Sequence, residues 1–256
     1  MTDKVAVVTG ANRGIGRAIA VALAADGFAV AATARDPATL ADTLEQARKT
    51  GSEVAAMACD VRDEDSVAAM AAEARALGPV HTVVANAGVA GPTARMHELS
   101  LAQWRDTLAA DLDGVFLTFR EFVPDLVARR SGSLIAISSV TGKRPLYGRT
   151  PYAAAKLGVI GLVRTLALEL GSHQVRVNAV CPGAVAGPRI DDVIAKQAAV
   201  LGVTEDEART ALTNSAPLRR LVTADEVARA CAFLASDAAA SITGEDLNVT
   251  AGAVMY

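Results

Sequence analysis

Tyr152 and Lys156, two side chains able to exchange and steady a proton, stand four residues apart at the head of the apolar run "TPYAAAKLGVIGLVRTLALEL". Helical residues at that spacing share a face, so the phenol and the ammonium would point the same way. A free phenol is a poor base in neutral water. A neighbouring cation favours the phenolate and makes its proton exchangeable. Taken singly, a rim tyrosine or a lysine with its stem along apolar surface needs no such role. Ser138 and Ser139, closing "SLIAISS", add hydroxyls able to hold and polarise a carbonyl oxygen.

A second constellation lies near the start of the chain. "TGANRGIG", Thr9 to Gly16, follows an apolar strand-like run and opens a helical one. Gly10, Gly14 and Gly16 let the backbone turn tightly and approach a ligand closely. The helix start, with Asn12, Arg13 and Ile15 around it, offers free N–H groups and a positive dipole end to a phosphate. The spacing departs from GxGxxG, so the strand before and the helix after carry the argument. The end of the second strand reads the adenosine ribose: an acid meets a 2′-hydroxyl, an arginine a 2′-phosphate. Here it is "TARDPATL". Asp36 before Pro37 suits a helix cap, which leaves Arg35 for the phosphate. With Arg13 nearby, NADP is expected over NAD.

These groups need a scaffold. Strand-like apolar runs at Val5–Thr9, Ala29–Thr33, Val54–Ala58, Thr82–Ala85, Leu134–Ser138, Arg176–Val180 and Leu247–Thr250 alternate with longer helical patterns. The helices are expected at Ile15–Ala25, Ala38–Lys49, Asp65–Leu77, Leu101–Arg129, Tyr152–Leu170 and Asp225–Ala235. Near-continuous apolar strands are buried on both faces. The alternation predicts an α/β, Rossmann-like doubly wound parallel sheet of about seven strands, helices on both faces, in a three-layer sandwich. No linker composition divides residues 1–256, so one domain is expected, with a substrate loop near 184–215 whose Gly187–Val203 stretch reads as mobile. Ligands in such sheets bind beyond the strands' carboxyl ends, where the motifs above fall.

Composition narrows the partners. At 256 residues and 52% hydrophobic, the chain can bury roughly 75% of its unfolded surface in one core. A net charge of −3 gives no pull toward nucleic acid or an anionic membrane. Cys59, Cys181 and Cys231, odd in number and far apart, read as buried thiols in a reducing cytoplasm. The three histidines lack ligand spacing, so no metal is expected. "MTDKVAVVTG" does not read as a secretory leader, and Asp26-Gly27 interrupts the longest apolar stretch.

In order and placement these motifs resemble the short-chain dehydrogenase/reductase family, of 3-oxoacyl reductase-like type, over nearly the whole chain. The matching marks are TGxxxGxG at Thr9–Gly16, Asp60-Val61, Asn86-Ala87-Gly88, Ser139, YxxxK at Tyr152 and Lys156, and Pro182-Gly183. The resemblance implies that Asp60 and Val61 hold the adenine and that Asn86 to Gly88 support the cofactor side. It also implies that Pro182, Gly183 and Val185 lie near the nicotinamide and that Lys156 bonds its ribose. The family's spacing selects Ser139, thirteen residues before Tyr152, over Ser138.

The implied activity is hydride transfer between NADP(H) and a ketone or secondary alcohol, with Tyr152 as acid or base. Thr141, Leu146, Tyr147 and Ala184 should line the substrate side, where Arg95, Arg144, Arg149 and Arg189 hint at a polar or anionic substrate. A homotetramer is the family's habit.

Two departures stand out. Asp111 occupies the place of the family's usual catalytic asparagine, and Gly187 that of a frequent threonine. Asp111 is also the one support for a rival reading, a catalytically silent NADP(H) sensor on the same fold. A sugar-nucleotide epimerase, which shares YxxxK, would need a larger C-terminal region.

Overall fold

The computed structural model describes residues 4–256, so the first three residues of the segment read for a leader lie outside it. Seven parallel strands form one sheet: β1 (Val5–Val8), β2 (Ala29–Ala34), β3 (Val54–Ala58), β4 (Val80–Ala85), β5 (Gly132–Ile137), β6 (Val175–Pro182) and β7 (Asp246–Val249). Their order is β3-β2-β1-β4-β5-β6-β7, which reverses direction beside β1. The crevice expected at that switch point opens beyond the carboxyl ends of β1 and β4.

Successive side chains on one strand face opposite layers. Val5 and Val7 of β1 join one buried cluster, Ala6 and Val8 the other. The first cluster is closed by α3 (Glu64–Ala76), α5 (Gly114–Arg129) and α6 (Thr150–Leu170); the second by α1 (Gly14–Ala25), α2 (Ala41–Arg48) and α9 (Ala224–Ala235). Phe119 and Phe122 of α5 are fully buried; covering each side chain stabilises the fold by about 1.5–3 kcal/mol.

The long helix expected over Leu101–Arg129 is interrupted. α4 (Leu101–Leu108) passes into a π-helical turn at Ala109–Asp113 before α5 begins. Such turns insert a residue and re-aim the side chains they carry. The insertion turns Asp111 wholly inward.

The segment expected to be a substrate loop near 184–215, with Gly187–Val203 mobile, instead holds two helices, α7 (Pro188–Leu201) and α8 (Glu205–Asn214). Pro188 opens α7, whose inner face buries Ile194, Gln197 and Ala198. Thr204 and Glu207 form a reciprocal capping box that starts α8, satisfying donors the helix end leaves free. Among the described residues, no helix is long and apolar enough to cross a membrane. Cys59, Cys181 and Cys231 are buried and unpaired; burial pushes the first two thiols up to about 11.

Candidate active site

The glycine loop is locked to the strand beside it. Thr9 Oγ1 accepts from the backbone N–H groups of Asn86 and Ala87, each at 3.0 Å. Asn86 Nδ2 donates back to the carbonyls of Thr9 at 2.8 Å and Gly10 at 3.1 Å. Gly10 has φ +65°, and a Cβ there would lie 2.9 Å from Ala87 Cα, so close approach requires glycine. Gly16 is similarly pressed against the Gly10 carbonyl.

Two residues not singled out from the sequence complete the loop. Arg17 donates to the Asn12 carbonyl at 2.7 Å, and Thr43 Oγ1 donates to the Ala11 carbonyl at 2.8 Å. With these carbonyls held from behind, the N–H side of the loop is left to the crevice. Arg13 makes no side-chain cap, so the first N–H groups of α1, at Gly14, Ile15 and Gly16, keep their donors. Free donors, a positive dipole end and glycines that a Cβ would block suit a pyrophosphate.

At the end of β2, Asp36 Oδ1 accepts from the Ala38 N–H at 3.0 Å, the capping role expected of it. Arg35 is exposed beside it, as is Arg13. Asp60 follows β3, where Arg62 grips its carboxylate in a fork at 2.9 and 2.6 Å. Arg62, helped by Arg35, holds that carboxyl below the usual carboxylate range. Val61 is buried and packs against Gly114, where a Cβ would come within 2.7 Å of it.

Beyond β5 the two serines separate cleanly. Ser138 Oγ donates to the Lys156 carbonyl at 2.7 Å and so ties the strand to α6. Ser139 Oγ accepts from the Thr141 N–H at 3.1 Å. Its own O–H is spent on no acceptor among the described residues. Gly142 lets this turn lie against α6, where a Cβ would meet the Lys156 backbone at 2.8 Å.

Tyr152 and Lys156 do share a face of α6: the Lys156 ammonium lies 5.6 Å from the centre of the Tyr152 ring. Lys156 is almost wholly buried and donates to the Ile137 carbonyl at 3.0 Å. Asp111 Oδ1 sits 2.9 Å from Lys156 Nζ, and both side chains are out of solvent. The contact is an ion pair without hydrogen-bond alignment, since Oδ1 has no directed donor among the described residues. Oδ2 accepts from the Val89 N–H at 3.2 Å. Gly88 makes room for it, because a Cβ there would collide with Oδ1.

Of the residues expected on the substrate side, Thr141 is buried within its turn, Leu146 is half-buried and Tyr147 is exposed. Arg95 donates to the Tyr147 hydroxyl at 3.0 Å, and Gln197 of α7 to the Tyr147 carbonyl at 2.6 Å. After β6, a Cβ on Gly183 would lie 3.0 Å from Thr250 Cα. Ala184 accepts from the Val222 N–H at 2.9 Å, and Val185 forms a lone bridge to Val222. Pro182 ends β6, which brings these residues to the same sheet edge as Ser139.

Comparison with known proteins agrees with this geometry. A family model described as enoyl-(acyl carrier protein) reductase matches residues 10–254. The chain is 39% identical to the granaticin polyketide synthase putative ketoacyl reductase 1 of Streptomyces violaceoruber, over 98% of this chain and 93% of that one. It is 36% identical to the 3-oxoacyl-[acyl-carrier-protein] reductase of Synechocystis sp., over 100% and 99%. Among solved structures, a variant of actinorhodin polyketide ketoreductase with NADPH superposes with a TM-score of 0.94 at 35% identity, covering 99% and 98%. The chain belongs to the short-chain dehydrogenase/reductase family and is a 3-oxoacyl reductase-like oxidoreductase.

Proposed function

We propose that this protein transfers hydride between NADP(H) and a ketone or secondary alcohol, with Tyr152 giving or taking the proton on oxygen. The observation that carries the reading is the buried Lys156 ammonium 5.6 Å from the Tyr152 ring, on the helix against which the turn opened by Ser139, its hydroxyl hydrogen uncommitted, is packed. When bound, the nicotinamide supplies or accepts the hydride. Everything else falls to the chain. Ser139 donates to the substrate oxygen and polarises the carbonyl. Tyr152 passes its proton to that oxygen, and Lys156 steadies the phenolate left behind. Ser138 and Ile137, through the Lys156 carbonyl and ammonium, keep the start of α6 in register with β5. A proton delivered to oxygen suits a carbonyl rather than a carbon–carbon double bond.

Arg35 and Arg13, exposed where the adenosine ribose would lie, support NADP(H) over NAD(H). The related ketoreductase structure with NADPH supports it too. The names of the relatives make 3-oxoacyl groups the first substrates to assay. Thr141, Leu146, Tyr147 and Ala184, under α7, would form the substrate wall. We read residues 1–256 as one catalytic domain. The exposed Leu157 and Leu168 of α6 and Phe116 of α5 support an assembly of several copies.

The test is consumption of NADPH with a panel of ketones, the reverse reaction with alcohols, and direct measurement of NADPH binding. Turnover supports the enzyme. Tight binding without turnover on any substrate would return the silent sensor, whose support is the Asp111 carboxylate competing for Lys156.

A further inference from the structure

Arg149 is buried, with 3% of its surface exposed, although the sequence places it in a loop. Its backbone opens α6, the Arg149 carbonyl accepting from the Ala153 N–H at 2.8 Å. Its side chain reaches back to the loop after β4, where one terminal nitrogen donates to the Ala90 carbonyl. Nε and the other terminal nitrogen are buried with no acceptor among the described residues. Leaving donors of a buried cation unpaired is costly, so the arrangement asks for a compensating purpose. The guanidinium lies over the Tyr152 ring, 4.9 Å from its centre.

Resting on the hydride-transfer reading, we propose that Arg149 is a positioning residue that replaces, at Tyr152, the positive charge Asp111 takes from Lys156. The charges by the Tyr152 ring are Lys156 of α6 and Arg149 at the cap before it, with Asp111 of the π-helical turn paired to Lys156. Lys156 and Asp111 at 2.9 Å nearly cancel at a distance. Arg149 restores a net positive charge against the ring, where it favours the phenolate. From α7, Arg189 opposes the Arg149 charge and Asp192 favours it, Arg189 being the stronger of the two. Burial lowers the affinity of Arg149 for its proton, partly offset by Tyr152 and Asp111.

The experiment is the pH profile of alcohol oxidation in wild type, Arg149→Gln, Arg149→Lys and Asp111→Asn. Gln keeps a donor for the Ala90 carbonyl but removes the charge; Arg149→Met serves if Gln fails to fold. The pH at which the rate reaches half its maximum should rise by about one unit or more in Arg149→Gln, the effect of removing a cation beside the phenolate. Arg149→Lys should stay near wild type, and Asp111→Asn should move the limb down. An unmoved limb in Arg149→Gln overturns the proposal. So does an equal shift in Arg149→Lys, which would mean that shape and not charge matters. A raised KM for anionic substrates alone, with the limb in place, would make Arg149 a substrate anchor instead. Tyrosinate absorbance with NADP bound, taken as wild type minus Tyr152→Phe, reads the same shift without turnover. It therefore separates failure of this proposal from failure of the activity on which it rests.

Discussion

The Asp111 carboxylate and the Lys156 ammonium form a closed pair, 2.9 Å apart and 0% and 4% exposed, across 45 residues of chain. Removing either group leaves the other charge buried without its counter-charge. Asp111→Ala leaves a buried ammonium with only the Ile137 carbonyl, which should cost about 3 kcal/mol of folding stability. Denaturant unfolding measures it, and a change under about 1 kcal/mol would mean water already screens the pair.

Ser138 and Ser139 should fail in different ways. Ser139→Ala removes the donor to the substrate oxygen and should lower kcat about a hundredfold or more, with about 1 kcal/mol of stability lost from the uncapped Thr141 N–H. Ser138→Ala removes the donor to the Lys156 carbonyl. That should cost about 1 kcal/mol of stability with most turnover retained. Paired kinetics and thermal melts of the two variants distinguish them.

Arg35 should read the cofactor. Arg35→Ala should weaken NADPH binding about tenfold to a hundredfold, the worth of a charge-assisted hydrogen bond. NADH binding should change by no more than about twofold, since it lacks the 2′-phosphate. Equal losses for both cofactors would assign Arg35 a structural role.

His81 ties stability to pH far from the site. Burial, helped by the positive charges of Lys4 and Arg176, pulls its pKa from 6.5 down to about 4. The unfolded chain takes up a proton near pH 6.5 that the folded chain refuses until about pH 4. Its contribution is therefore full above pH 6.5 and is lost as pH falls through that window. Partial exposure screens the effect, leaving about 1–2 kcal/mol. His81→Gln should flatten the melting profile between those pH values; an unchanged slope would assign the loss to other groups.

The architecture was legible because the inner strands are apolar runs buried on both sides, as in β1, β2 and β5, and the motifs fall at strand ends. The glycine loop, the Asp36 cap and the shared face of Tyr152 and Lys156 needed only local spacing. The remaining features depended on tertiary contacts. Residues 188–214 carry few apolar anchors, and their helices are stabilised by caps and by burial of Ile194 and Ala198. A π-helical turn changes the helical period by one residue and leaves no compositional mark. Arginine in a loop ordinarily reads as solvated, which is why the burial of Arg149 was not foreseen. Its partners, Ala90 and the Tyr152 ring, meet it only in the folded chain.

Turnover by Tyr152→Phe, with NADPH binding followed in the same preparation, tests the central claim most directly. The substitution removes one oxygen and keeps the ring beneath Arg149 and Lys156. Binding should be retained and turnover should fall by about a thousandfold, within the range for loss of a general acid or base. Turnover at the wild-type rate would remove Tyr152 from the chemistry.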